Sequence, residues 1–337
     1  MKKLFTYFFF SLFLIAAQAQ VSTPNNGVKW NLDSLVLHSA GAVTQVGSEY
    51  LISESITLAV NDTFAVVTNE IVRVADSAEI VLAGVALFNA PDSLVITATD
   101  STAHFPAMEI RNSSTVFQNV HLTYGGGIGI YDASPLIIFS KLENNKNKTT
   151  GAINLFRSNA VIAFSSFYDN YSAAISGGAN IANAPLILSN HFARNVTYNG
   201  NKSQILLGQT GSDTAMIIGN HIEGLYTRAG GISVLPLGTA NIVIDSNIIE
   251  GNRYGIGMLT GGINSLIINN IIRNNNIEGK PALGGSGLNF AGSASNTSII
   301  SNNTIYGNLW GVTIQGTAKP NLGDLRAASY NVGQNEI

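Results

Sequence analysis

The chain has 337 residues, of which only 11% are charged and 34 are glycine, and it contains no cysteine. That length can bury a large core, while the charge content lies well under the roughly 25% of an average domain. The formal charge of −3 without a basic cluster excludes the footprint of a nucleic-acid binder, and the missing cysteine excludes disulfides, thiol catalysis, Cys-bound zinc and lipid attachment at a bacterial signal peptide.

Residues 1–19 read as a signal peptide. Lys2 and Lys3 supply the positive end, Leu4–Ala17 a Phe-rich apolar run, and Ala17-Gln18-Ala19 the small-residue cleavage signature before Gln20. The run is shorter than the ~20 residues of a membrane span, and no later stretch is apolar for long enough. Cleavage leaves 15 basic against 20 acidic residues, a charge of −5. The expectation is an exported chain without a membrane span: secreted, periplasmic or at the cell surface, and not a lipoprotein.

Residues 20–110 are β-rich but irregular. Candidate strands are Tyr50–Ile52, Ile56–Val60, Phe64–Thr68, Ile71–Val74, Ile80–Leu82, Ala86–Phe88 and Leu94–Thr97, separated by turn signals such as Asn61-Asp62 and Pro91-Asp92. A capping element is expected near Trp30–Leu37, because a bare solenoid end exposes an aggregation-prone edge.

Residues 111–318 repeat one phrase. In residues 241–258, Ile242–Ile244 is a short β run, Asn247 breaks it, Ile248–Glu250 is a second run, Gly251-Asn252 turns again, and Gly255–Met258 is a third. SNHFARN (189–195), GNHIEGL (219–225), NNIIRNN (269–275) and NNTIYGN (302–308) align with SNIIEGN (246–252) without gaps, and SKLENN (140–145) and SSFYDN (165–170) join them. The central apolar residue falls at Leu142, Phe167, Phe192, Ile222, Ile249, Ile272 and Ile305, at intervals of 25, 25, 30, 27, 23 and 33. The Gly255–Met258 run recurs around Ile153, Ile175, Ile205, Ile232, Ile256, Leu288 and Val312. Fixed strand phrases with elastic intervals predict a parallel solenoid of about ten coils with insertions confined to turns. After Thr317 the pattern fades into a tail, residues 319–337, and the abrupt stop fits a chain cut from a longer one.

Asn190, Asn220, Asn247, Asn270 and Asn303 occupy one aligned position. Stacked at the ~4.8 Å spacing of neighbouring strands, their amides can satisfy the turn backbone and still bond one another, since each offers donors as well as an acceptor. Aspartates would only accept and would repel, so an internal Asn ladder is expected.

The phrase [IV]-x-x-N-x-I-x-x-N-x-x-G-[IV]-x-[IVML] resembles the right-handed parallel β-helix proteins of the pectin-lyase-like superfamily, clearly over about 120–315 and loosely over 45–120. The resemblance implies an all-β right-handed solenoid in a group that includes polysaccharide lyases, hydrolases, epimerases and secreted members of no known activity. It also implies polysaccharide bound along the outer face of the strand that aligns with Gly255–Met258. The outward row of that strand is Gly129, Asn154, Ser176, Leu206, Ser233, Gly257, Asn289 and Thr313, without acid, base or His. Hydrolysis of a glycosidic bond needs two carboxylates at a set separation, so no catalytic residue of the superfamily carries over. No cofactor is implied. Calcium would need a cluster of oxygen ligands that the sequence lacks, because GGGIGIYD (125–132) resembles a calcium nonapeptide only once.

Two other surfaces carry candidates. Tyr171, Tyr226, Tyr254 and Trp310, with Arg228 and Arg253, lie in turns just before the Gly255–Met258 type of strand, where rings can stack on sugar faces. His191 and His221 share one outward column of the Ile248–Glu250 type of strand, and Glu223, Glu250 and Arg273 share the next. Two stacked glutamates would raise one pKa and create a general acid, and with the histidines they could ligate a metal. The commoner role of such residues is to make a solvent face polar, with Arg273 neutralising the Glu pair. The expected function is engagement of an extracellular polysaccharide or surface glycan as a binding module. The alternatives are a polysaccharide lyase or glycoside hydrolase with its site off the usual face, and a structural or adhesive surface protein.

Overall fold

The computed structural model describes residues 20–147, 149, 151–326 and 330–337; the expected signal peptide lies outside them. Twelve parallel strands, from Val21–Ser22 to Trp310–Ile314, stack into one sheet and so bound eleven turns of solenoid, one more than the sequence phrases suggest. This is the first sheet, and it contains Ile256–Met258. Within each coil the chain passes from it to a second sheet, typified by Leu186–Leu188, rounds a tight corner into a third, typified by His191–Ala193, and returns.

Alternation puts one residue type inside. Leu142, Phe167, Phe192, Ile222, Ile249, Ile272 and Ile305 are paired in register and at most 1% exposed. Burial of one such side chain stabilises by roughly 1.5–3 kcal/mol. Phenylalanines meet phenylalanines inside: Phe167 stacks on Phe192 with centroids 4.8 Å apart and Phe88 on Phe117 at 4.7 Å.

At the corner between second and third sheets the chain bends through a left-handed residue, the column Asn119, Phe139, Phe164, Ser189, Gly219, Ser246, Asn269 and Asn302. The ladder follows it. Asn190 Nδ2 donates to Asn220 Oδ1 (3.0 Å), Asn220 to Asn247 (2.9 Å), Asn247 to Asn270 (2.9 Å) and Asn270 to Asn303 (2.9 Å). Each amide also donates to a backbone carbonyl of the preceding coil, as Asn247 Nδ2 does to Ile217 O at 2.9 Å. A second, unanticipated ladder runs along the turn after the third sheet through Asn145, Asn170, Asn195, Gln204, Asn252, Asn275 and Asn308.

The ends differ from the middle. A helix, Leu32–His38, is started by an Asn31/Ser34 capping box and buries Leu32 and Leu35 against the first coils. Asp62, fully buried, accepts four backbone N–H groups of Asn25–Val28 at 2.9–3.1 Å and pins the entering loop. Val85–Ala98 is one 14-residue strand, and its ladder pairs break at the expected Pro91-Asp92 turn: it pairs with Thr63–Val66 up to Phe88 and with Ile71–Val74 from Val95, so it bends round the corner there. Past Thr317 the chain stays on the solenoid, where Asn303 Nδ2 donates to Asn335 Oδ1 at 2.9 Å and extends the first ladder by one rung.

The outward faces of the three sheets differ in chemistry. From Gly129 onward the outward row of the first is uncharged, while the third is polar and charged. The second is aliphatic, with the column Leu87, Val116, Leu136, Val161, Leu186, Met216, Val243, Leu266 and Ile299 in continuous register.

Candidate functional site

The outward row of the first sheet has the register expected of it: Gly129, Asn154, Ser176, Leu206, Ser233, Gly257, Asn289 and Thr313 are successive partners. Its polar members bond one another. Ser176 donates to Asn154 Oδ1 at 3.1 Å, Thr313 to Asn289 Oδ1 at 2.9 Å, and the half-buried Tyr254 hydroxyl bonds the buried Ser203 and Ser233 at 2.8 and 2.7 Å. The row is not free of charge over its whole length, however. It continues above Gly129 into Glu109, whose carboxylate takes Arg111 Nη2 at 2.6 Å, and Arg111 lies 5.1 Å over the Tyr131 ring. Glu109 pairs with Gly129 across the sheet but sits where the repeat phrase has not yet become regular, so a reading begun at Gly129 misses it. The next charged pair, Arg157 and Asp132, is bidentate, and Arg157 holds the Asp132 carboxyl below its ordinary value.

Beside the lower end of this face a cleft of about 270 Å³ opens between the Pro281–Gly284 loop and the sheet. Three of the six expected sugar-binding residues meet there. Trp310, 49% exposed, is fixed by Nε1 donating to Pro281 O at 3.1 Å. Tyr254 lines the wall above the two serines that it bonds. Arg253 does not offer its guanidinium to the cleft. Its side chain is mostly buried, pairs with Glu278, and donates to Asn201 Oδ1 and Leu283 O, each at 2.6 Å, so it clamps the loop that makes the cleft. Gly285 can close this loop because it is left-handed (φ +93°), a conformation that glycine adopts without strain.

Tyr171 goes to a second cleft of about 220 Å³, with His104, Tyr124, Lys146 and Asp169. It stacks on Tyr198 (centroids 5.2 Å apart), with Lys146 Nζ 5.8 Å above it. The repeat phrase gives no signal for Tyr198, which lies in a turn insertion outside it. Tyr226 is half-buried, Arg228 is exposed, and neither lines either cleft.

On the third sheet the predicted columns are real, and they form one bonded chain. Tyr168 Oη meets His191 Nδ1 at 2.9 Å, His191 stacks flat on His221 at 4.9 Å, His221 Nε2 meets Glu250 Oε1 at 2.7 Å, Glu250 takes Arg273 Nε at 2.7 Å, and Arg273 Nη1 reaches Tyr306 Oη at 3.1 Å. His121, further up the sheet, meets Glu143 at 2.8 Å in the same way. Glu250 does not carry the raised pKa expected of a general acid. Arg273, ahead of His221 and against the opposing effect of burial, holds Glu250 below its ordinary value, so the stacked glutamate is not raised. His191 is lowered, first by burial and then by the stacked His221; its Nε2 is 3.7 Å from Glu223, beyond hydrogen-bond reach, and unpartnered. Among the described residues no three His, Asp or Glu are grouped to hold a metal.

These directions fix a pH response. A histidine with a lowered native pKa costs stability once the unfolded chain begins to protonate, so stability is flat above 6.5 and falls as pH drops through that value. Glu250 adds a second fall below 4.5, because a depressed carboxylate stabilises only while ionised. His191→Gln is expected to flatten the melting temperature between pH 6.5 and 4.5 and leave the acid limb unchanged. An equal slope in variant and parent would remove His191 from this role.

No protein-family model and no curated protein matches the chain. Among solved structures, the periplasmic alginate epimerase AlgG, as a point mutant, superposes with a TM-score of 0.57 at 13% identity, over 87% of this chain and 83% of that one. The chain has the right-handed parallel β-helix fold. ORF18 of Geobacillus virus E2 aligns over 87% of this β-helix and 59% of its own length, at 10% identity, with a TM-score of 0.33 that carries no argument. Among the described residues of the β-helix no helix is long and apolar enough to cross a membrane.

Proposed function

We propose that this β-helix binds an extracellular polysaccharide along the turns beside its first sheet. The observation that carries the reading is Trp310: half of a large apolar ring is held in the open by its own N–H, over a cleft edged by Ser286, Asn289 and Thr313. A ring face beside neutral hydroxyl and amide groups suits the apolar face and equatorial hydroxyls of a pyranose. The Tyr171–Tyr198 stack offers a second platform along the same edge. The fold neighbour acts on alginate, a polysaccharide, which agrees with the substrate class. The chain is read as exported, with residues 1–19 removed.

The test is a glycan-array screen with and without calcium, followed by titration of the best polysaccharide. Trp310→Ala is expected to weaken binding about tenfold, the effect of removing one anchoring aromatic. Tyr254→Phe, which removes the hydroxyl bonded to Ser203 and Ser233, should act mainly on stability. Unchanged affinity in Trp310→Ala would sink the reading.

Polysaccharide modification is the second reading, and Glu109 with Arg111 on the same face favours it. Formation of new reducing ends or unsaturated uronate, abolished in Glu109→Gln, would establish it. Asp132, bonded by Arg157, has its carboxyl held below the ordinary value and so is not poised as an acid.

A further inference from the structure

We infer that the outward face of the second sheet is an interface for a second copy of this chain. In a solenoid that face should be wet, and on the third sheet it is lined by ions and hydrogen bonds. On the second sheet the column from Leu87 to Ile299 is aliphatic in nine successive coils. Met216 and Ile299 are 40% and 44% exposed, and the rest of the column is half-buried by its own neighbours. The parallel column adds Ile138, Leu188, Ile218 and Ile268, and its one charge, Asp245, is occupied by Ser246 Oγ and Asn269 Nδ2 at 2.8 and 2.9 Å. Contiguous apolar patches of this size mark contact surfaces.

The corner residues carry a second, independent sign. In the left-handed column that edges this face, six coils use Asn, Ser or Gly, which suit positive φ. Two use phenylalanine instead, Phe139 (φ 49°) and Phe164 (φ 50°). Each ring is at least half exposed, and the two stack at 5.3 Å. A bulky side chain in a strained conformation, half turned to water, costs stability that the stacking of the two rings offsets only in part. An apolar contact made by this edge would offset the rest.

The occupant follows from chemistry and area. The face offers no Lys or Arg to anionic lipid, and the net charge of −3 opposes such a surface. The polar column beside the aliphatic one, Asn241, Asn264 and Thr297, is bonded within itself, which leaves a sugar few free partners. A flat, nearly chargeless strip with ridges at ~4.8 Å is matched by another of the same kind, and a two-fold axis lets the rows of one copy lie between those of the other. Nine strands give a strip ~40 Å long and, with two side-chain columns, roughly 12 Å wide, so about 1,000 Å² over both copies before the phenylalanines are added. That is the lower bound for a specific interface, so the pair is a reversible, concentration-dependent dimer. The clefts of the glycan-binding reading lie off this sheet, and the two inferences stand or fall separately.

The experiment is analytical ultracentrifugation of the purified chain over a concentration series, with melting curves run beside it. A monomer–dimer equilibrium is expected, weakened at least tenfold by Leu186→Lys with Leu266→Lys. Both sites are on the outward face, so the melting temperature should hold. Phe139→Asn with Phe164→Asn should weaken the dimer several-fold and leave the melting temperature equal or higher, because Asn suits the corner better. A lower melting temperature with dimerisation intact would make the phenylalanines structural and overturn their part. A chain that stays monomeric at every concentration, or a dimer indifferent to both lysines, would overturn the interface. So would loss of binding to neutral vesicles in the lysine variant without any change in mass.

Discussion

Asn247→Asp is expected to destabilise the solenoid by about 3–5 kcal/mol, the range for an uncompensated buried charge. Asn247 is fully buried, and its Nδ2 serves three acceptors: Ile217 O, Asp245 O and Asn270 Oδ1, at 2.9, 3.0 and 2.9 Å. Its Oδ1 accepts both the backbone N and Nδ2 of Asn220, each at 2.9 Å. An aspartate keeps the acceptor and turns the donor into a second oxygen facing three others. Protonation recovers one of the three contacts, so the native pKa of this carboxyl is raised. A raised native pKa stabilises below the unfolded value and is lost as pH rises through the folded one. The variant should therefore lie closest to the parent in acid and furthest at neutral pH. Asn302→Asp is the control: it sits on the neighbouring left-handed corner, exposed, and should change stability by less than about 0.5 kcal/mol. Urea unfolding of both variants checks this, and a cost under about 1 kcal/mol for Asn247→Asp would mean that neighbouring rungs compensate for a missing one.

The repeat was legible because one inward column stays branched or aromatic, from Leu142 to Ile305, and because only an amide can serve both as rung and as backbone partner. Intervals as unequal as 23 and 33 do not disturb that, since the extra residues leave at turns. What stayed hidden has physical causes as well. Val85–Ala98 reads as two strands because its ladder pairs do break at the proline bend, stopping at Asn89 and resuming at Leu94, although the strand runs on through the corner. Glu109 sits in the outward row of the first sheet but outside the regular phrase. Arg253 was legible as a neighbour of Tyr254, but its clamp on Glu278 depends on a loop insertion with no repeat to align. The aliphatic outer column was invisible because a run such as Leu186-Ile187-Leu188 reads the same whether one face or both are covered.

Gln204 was hidden for the opposite reason: it completes a pattern from outside it. In the coil of His221–Glu223, the position that holds Asn252 one turn later is Leu225, 57% exposed and unable to form a rung. Gln204, fully buried on the neighbouring first-sheet strand, reaches across. Its Oε1 accepts Asn195 Nδ2 at 2.9 Å, and its Nε2 donates to Asn252 Oδ1 at 3.0 Å and to Glu223 O at 2.8 Å. Gln204→Leu keeps the approximate volume and removes all three bonds, which predicts a loss of about 2–4 kcal/mol at roughly 1 kcal/mol or more per bond. Gln204→Glu should be worse still, because it keeps the acceptor and sets a carboxylate oxygen against Asn252 Oδ1 and Glu223 O. Each coil of a solenoid contacts only its neighbours, so the damage should be local. Hydrogen exchange in Gln204→Leu is expected to speed up at amides of the second ladder near the gap, such as Asn170 N, which donates to Asn195 Oδ1. Asn270 N, which donates to Asn303 Oδ1 three coils on, should stay protected. Uniform loss of protection along the chain would show that the coils open as one unit, and Gln204 would then be a global keystone and not a local splice.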